Sequence, residues 1–412
     1  MKVIFFDYWT KGIQNFIPLN NRLISRGHET MLFHIGSFNE PKYPTEEQID
    51  NILCRDISYY RTRFLYIALK KICPDVIISL NTTYILDRTM VLACRKLGIK
   101  TVFMMHGDRA TGNLIDIAIK SRPYSFLEKI SKTGKYLTIV FPNYLLSIWK
   151  QKKYNIFIFM PIKVLWSTFK DPSRSNYFPP EPNEVIHDRC LIYANKYREY
   201  YKKLGYKDEN IKVVGNPKND FLFQLIDTGF PIDLIKTKKV KDLVNSGIKY
   251  SLYLEDSFQE QGIMGWTYDY LAKHLSDISE RLKQDNIALV VKLHPTTDIE
   301  MIPKLNNEII FVENDLEHLI YYSKFCIGHI SSTVNLAILM KKPVLVPLWG
   351  KSENLPDYYA KNNVANYWAN IEDELNLTID EKSIMNYIKE NITITQPISI
   401  DLIEREINRL SQ

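Results

Sequence analysis

Two short segments carry residue types and spacing suited to handling an anion. Lys292-Leu293-His294-Pro295 ends an apolar run of strand length, and about 35 residues later Gly328-His329-Ile330-Ser331-Ser332-Thr333 opens an apolar run of helical spacing. Hydroxyls and unpaired backbone amides at a helix start, with the helix dipole behind them, favour a phosphate. Ser331, Ser332 and Thr333 are the expected phosphate ligands, with His294 and Pro295 beside them. His294 can donate a hydrogen bond to that phosphate or protonate it as it leaves. A His-Pro pair alone is common by chance, and a Ser-Ser-Thr run most often caps a helix. Their placement at consecutive strand ends is what points to chemistry.

The elements that must position these residues follow from hydrophobic period. Residues 2–9 and 29–36 read as strands flanking a helix over 16–26, and strands at 76–80 and 101–105 flank a helix over 88–98. A second alternating series runs from 249–256 through a helix at 268–284 to strands at 287–295, 309–314, 325–332 and 343–350. Strands alternating with helices predict an α/β chain of two Rossmann-like, doubly wound parallel sheets with ligands at the carboxyl ends of the strands. The boundary is expected just after Gly215-Asn216-Pro217, giving domains 1–217 and 218–412. A length of 412 residues agrees with two domains.

Composition narrows the class. The chain is 45% hydrophobic and 24% charged, which is that of a packed globular body. Its five cysteines, Cys54, Cys73, Cys94, Cys190 and Cys326, lie far apart and form neither a disulfide framework nor a zinc pattern. No GxGxxG follows a first strand and no P-loop is present. Neither a signal peptide nor a spanning apolar helix is expected. The net charge of +6 is concentrated between Lys120 and Arg174, where eleven Lys/Arg stand against Glu128 and Asp171, a local balance of +9.

The order of Met105-His106-Gly107-Asp108, a VVGNPKND crossover, the His-Pro pair and the Ser-Ser-Thr helix start resembles bacterial surface-polysaccharide transferases with the GT-B fold. The nearest likenesses are polysialyltransferases and Kdo transferases that use CMP-sugars, then the CDP-glycerol glycerophosphotransferases of teichoic acid synthesis. The resemblance implies two domains facing a central cleft, the second holding the donor and the first the acceptor. It also implies that His294, Ser331, Ser332 and Thr333 hold the donor phosphate. The acidic-acidic-Gly motif of those enzymes is absent, since Glu255-Asp256 is followed by Ser257. A base for the acceptor hydroxyl is therefore sought at strand ends of the first domain: Asp108 first, then His106 and Asp7. Glu313, Asn314, Glu317, Gly328 and His329 border the expected base and ribose site, and Leu348-Trp349-Gly350 either lines a sugar pocket or is plain core. No DxD stands beside these strands, so metal-independent transfer, with no cofactor beyond the nucleotide-sugar donor, is the expectation.

The resulting expectation is a glycosyltransferase that moves a sugar, CMP-linked acidic sugars preferred over UDP-linked ones, onto a lipid-linked surface glycan. The alternatives are a CDP-alcohol phosphotransferase of teichoic-acid type, a UDP-sugar 2-epimerase, and a sugar-binding assembly partner with a decayed site. The stretch at about 120–180 interleaves aromatics with lysines, which suits an anionic bilayer surface better than nucleic acid. Lys150, Lys152, Lys153, Trp149 and Trp166 are the expected membrane contacts, and the inner face of the cytoplasmic membrane the expected location. The bland reading of the same stretch is an extra helical subdomain with a small core of its own.

Overall fold

The computed structural model describes residues 1–106, 125–151, 166, 185–305, 309–331, 333–353, 355 and 358–411. These form two compact units. Of the described residues, the first takes 1–106, 125–220 and those from 392 onward, whereas the second takes those within 221–391. The crossing at Asp220 falls three residues beyond the Pro217 read from sequence, and the last segment returns to the first unit instead of completing the second.

The first unit is built on an eight-stranded sheet. Its strands are β1 (Lys2–Asp7), β2 (Glu29–His34), β3 (Glu46–Ile49), β4 (Ile52–Asp56), β5 (Val76–Ser79), β6 (Lys100–Met104), β7 (Arg189–Ile192) and β8 (Ile211–Val213). The order is β3-β4-β2-β1-β5-β6-β7-β8, and only the β3–β4 pair is antiparallel. Val3 and Phe5 face one core with Phe16 and Leu19, while Ile4 and Phe6 face another with Leu69 and Met90. Burial on both faces explains why β1 reads as a continuous apolar run. β3 and β4 arise from a stretch whose polarity conceals them, because Glu46-Glu47-Gln48 forms a sheet edge.

The helix Ser399–Ser411 closes the first unit. Its Ile403 and Ile407 are fully buried in the β1 core, and Arg22 of the helix Ile17–Ser25 pairs with its Asp401 and Glu404.

The helices Phe126–Lys135 and Phe141–Gln151 lie within the basic segment, joined by a π-turn. Tyr136, Tyr144 and Ile148 are buried with Ile85, Leu92 and Val185. Asn143 ties the segment to the backbone of Arg63 and Leu65. Part of the aromatic content is therefore core, as the bland reading has it.

The second unit is a six-stranded, wholly parallel sheet. It comprises β9 (Tyr250–Leu254), β10 (Ala288–Lys292), β11 (Ile310–Val312), β12 (Phe325–Ile327), β13 (Val344–Pro347) and β14 (Asn366–Trp368) in the order β11-β10-β9-β12-β13-β14. The order reverses between β9 and β12, as it does between β1 and β5 in the first unit. In such sheets ligands bind outside the carboxyl ends of the strands at the reversal.

Candidate functional site

In the second unit the reversal point is organised by two adjacent carboxylates that end β9. Glu255 is buried and turns toward the β10 loop. It accepts from the His294 amide at 2.8 Å, the Thr297 hydroxyl at 2.7 Å, Gln259 at 3.1 Å and the Ser257 amide. Ser257 adopts a left-handed φ of 57°, a strained turn for a residue with a side chain. Its hydroxyl meets Thr296 at 2.9 Å.

Asp256 serves the β12 loop on the other side. Burial, then the Glu255 charge, push its carboxyl up to about 7, while the Ile330 and His329 amides and the Ser331 hydroxyl pull it down. Its Oδ2 is sealed from solvent with no hydrogen-bond partner among the described residues. Of the donors expected to hold a phosphate, the Ser331 hydroxyl thus already faces a buried carboxyl. Ser331 also accepts from the Thr333 hydroxyl at 2.8 Å, and its carbonyl receives Tyr359 at 2.9 Å. Thr333 stands at the N-cap of the helix Val334–Leu339 without a side-chain capping bond. Ser332 lies outside the described residues.

His294 is half-buried, and burial lowers its pKa, so the ring is held neutral. Its Nδ1 accepts the Thr296 amide at 3.2 Å and contacts the Thr296 hydroxyl at 2.8 Å. That places the proton on Nε2. A neutral Nε2–H suits hydrogen bonding to a phosphate oxygen better than protonating it. Pro295 is exposed. Lys292 brings a half-buried ammonium to the same edge, donating to the Leu293 carbonyl at 2.7 Å. Burial lowers its pKa, against the attraction of Glu317, Glu255 and Glu313.

Two of the expected nucleotide residues are core. The His329 ring is buried, bonds Tyr253 at 3.1 Å and packs among Phe258, Trp266 and His274. It is unavailable to a nucleotide because it completes an aromatic cluster. A Cβ on Gly328 would lie 2.9 Å from Val334, so that glycine admits the following helix. Trp349 packs on Trp368 and His274, the core reading of its segment. Glu313 and Asn314 are exposed and Glu317 half-buried at the β11 edge. The carboxylate between them, Asp315, has φ 58° and holds the Lys236 and Thr237 amides at 2.9 and 2.8 Å.

In the first unit, Asp7 ends β1 at the reversal. It is buried, which pushes its carboxyl up to about 6, with the Tyr8 amide and His34 opposing. A Cβ on Gly12 would lie 2.0 Å from its Oδ2, so any larger residue there would displace the Asp7 carboxyl. The same Cβ would lie 3.5 Å from Leu80, whose carbonyl is 2.9 Å from His106 Nδ1. A carbonyl partner puts the His106 proton on Nδ1 and leaves Nε2 as its basic nitrogen. Asp7 and His106 therefore flank Leu80 on one edge. Asp108 lies outside the described residues.

Sequence reasoning passed over Glu255 and Asp256 as site residues, and over Lys292 and Asp315. Each is a charged residue placed where an apolar strand stops, and that signal was available.

No protein-family model matches the chain, and the search of curated proteins found no match. Solved structures share its fold over nearly the whole length. The wall teichoic acid polymerase TagF has a TM-score of 0.57 at 13% identity, covering 100% of this chain and 89% of that one. UDP-GlcNAc 2-epimerase from Methanocaldococcus jannaschii, in complex with UDP-GlcNAc and UDP, gives 0.52 at 13% identity, covering 99% and 100%. The calicheamicin glycosyltransferase CalG4 gives 0.50 at 12% identity, covering 100% of both chains. The chain has the GT-B fold of glycosyltransferases, two parallel-sheet α/β units. The same neighbours include an epimerase, so the fold alone leaves the reaction open.

Proposed function

We propose that the protein is a glycosyltransferase that moves a sugar from a nucleotide-activated donor to a growing lipid-linked surface glycan, without a metal ion. The observation that carries this reading is the β9–β10 edge, where Glu255 fixes the His294 backbone and Thr296 fixes its tautomer. The second unit binds the donor there: His294 Nε2–H bonds the phosphate, with Lys292, Ser331 and Thr333 as further ligands and Ser332 on the motif resemblance. Glu313, Asn314 and Glu317 border the nucleotide. The first unit binds the acceptor, and Asp7, His106 or Asp108 takes the proton from its hydroxyl. The hydroxyl oxygen then bonds the anomeric carbon, as the bond from that carbon to the phosphate oxygen breaks toward phosphate. A CMP-linked acidic sugar is preferred on the motif resemblance.

The likeness to TagF keeps a second reading in play, in which a CDP-alcohol delivers an alcohol phosphate and the product retains phosphorus. Thermal shift with CMP, CDP, UDP and GDP identifies the nucleotide, since a bound ligand stabilises the native state. Product analysis for phosphorus separates sugar from alcohol-phosphate transfer. His294→Ala should lower turnover at least about tenfold with the fold intact. Wild-type turnover in that variant refutes the site.

The basic segment is proposed to dock on the anionic inner face of the cytoplasmic membrane. Phe126, Leu127, Ile130, Leu137, Trp149 and Trp166 are exposed, and the Lys150 ammonium lies 4.3 Å from the Trp149 ring centroid. Lys152 and Lys153 lie outside the described residues. No helix among the described residues is long and apolar enough to cross a membrane.

A further inference from the structure

A polar network is sealed inside the first unit beside the end of β5. Ser79 ends that strand, and Thr82 follows it across a turn at Leu80 and Asn81. His187 comes just before β7, and Tyr206 lies between β7 and β8. The four residues are at most 3% exposed. His187 Nε2 is 2.7 Å from the Ser79 hydroxyl, and its Nδ1 is 3.1 Å from the Tyr206 hydroxyl and 3.3 Å from that of Thr82. Thr82 and Tyr206 bond each other at 2.6 Å.

The protons of this network have a definite order. Ser79 donates its one hydroxyl proton to the Asn81 carbonyl at 2.9 Å. Its oxygen must then accept from His187, which puts the ring proton on Nε2. Nδ1 is left to accept from one of the two remaining hydroxyls, and the other hydroxyl closes the Thr82–Tyr206 bond. Burial, then the charges of Arg88 and Arg95, hold the His187 pKa well below its ordinary value, so the ring is neutral as that order requires. Apolar side chains would fill the same space without a desolvation cost, whereas a fully bonded network fixes one geometry.

What it fixes is the turn from Ser79 to Thr82. One imidazole holds that turn at both ends, and Ser79 bridges it to Asn81. His187 is anchored in its own place, because the adjoining Asp188 accepts the Thr101 amide at 2.8 Å and the Thr101 hydroxyl at 2.9 Å on β6. Within the turn, the Leu80 carbonyl meets His106 Nδ1 at 2.9 Å. The backbone leading into His106 is aligned from the other neighbour of β6, where the Met105 amide donates to the Leu191 carbonyl of β7 at 2.9 Å. An imidazole in water favours its proton on Nε2, so the Nδ1–H form of His106 depends on the place of that carbonyl. We propose that His187 is a positioning residue for His106: it holds the Leu80 carbonyl where His106 keeps its proton on Nδ1 and Nε2 as its basic nitrogen. This rests on the reading of His106 as proton acceptor for the hydroxyl.

The test uses the full chain with nitrogen-labelled histidine, since the NMR shifts of the two ring nitrogens report which of them carries the proton. The His106 signals are assigned by their loss in His106→Gln, and in wild type they should show Nδ1 protonated. His187→Phe keeps a ring in the space but loses both of its bonds. It should turn His106 into a mixture of tautomers and lower kcat about tenfold, with KM for the acceptor and nucleotide affinity within about twofold of wild type. Ser79→Ala, which cuts the Nε2 side alone, should move both readouts in the same direction by less. A wild-type His106 tautomer in folded His187→Phe overturns the inference whatever the turnover, and Ser79→Ala decides the matter if His187→Phe does not fold. Wild-type turnover in His106→Gln would instead remove His106 from the proposed reaction and leave the tautomer result standing.

Discussion

Asp256→Asn tests the internal anion of the β12 loop. The Asp256 carboxyl is pushed from 3.8 up to about 7. At ~1.4 kcal/mol per pH unit, a displacement of about three units sets a ceiling of ~4 kcal/mol on the cost of ionising it in the folded state. The residue is only partly buried although its Oδ2 is sealed, so about half, ~2 kcal/mol, is the working value. The sign follows from which state binds the proton more tightly. A carboxyl raised by folding adds stability below its ordinary pKa, and that contribution is lost as pH climbs through about 7. Asparagine has the shape of the protonated acid and cannot ionise, so it keeps the contribution at high pH. Thermal melts of the second unit should show the variant close to wild type near about pH 4 and clearly more stable near about pH 8. Nucleotide affinity at the higher pH should rise, because the charge beside the Ser331 hydroxyl is gone. An equal difference at both pH values would show that the carboxyl is solvated and that the loop donors are not committed to it.

Glu255→Gln replaces an acceptor that faces amide and hydroxyl donors with a group that is half donor. It should destabilise the second unit by ~1–3 kcal/mol in denaturant titration and weaken nucleotide binding; unchanged binding would separate the loop from the site. Gly12→Ala drives a Cβ into the Asp7 carboxylate, which lies 2.0 Å from that position. Turnover should fall at least about tenfold with nucleotide affinity intact, and normal turnover would show that Asp7 can move without consequence. Lys150→Glu with Trp149→Ala should reduce co-sedimentation with phosphatidylglycerol vesicles, each lysine contributing ~1 kcal/mol at low salt. Equal binding would assign the exposed face another role.

The alternation of strands and helices was legible because sheets buried on both faces leave long apolar runs, as in β1 and β9. The polar β3–β4 edge was not, since an edge strand carries no such run. At the candidate site, type and spacing pointed to His294 and Ser331. Glu255 and Asp256 were noticed only as a motif that lacks its glycine. Their roles depend on which flanking loop each carboxylate turns toward, and that is fixed by the order β10-β9-β12, a long-range pairing invisible in local sequence. His329 misled for the converse reason: a histidine after a strand looks available until the ring cluster around Tyr253 and Trp266 encloses it. Asp7, His34 and Asp56 are far apart in the chain and stand side by side only through strand register.

The helix Ser399–Ser411 gives the molecule an order of assembly. The β1 core is missing Ile403 and Ile407 until residues 221–391 have been synthesised. On the ribosome residues 221–391 emerge as one stretch, whereas the first unit must wait with an apolar face uncovered, the condition under which chaperones capture a chain. Residues 1–220 should therefore depend on the returning helix, supplied in trans or through a permuted chain. A half-made first unit has little chance of displaying a working proton acceptor, so the part proposed to commit the acceptor to reaction matures last.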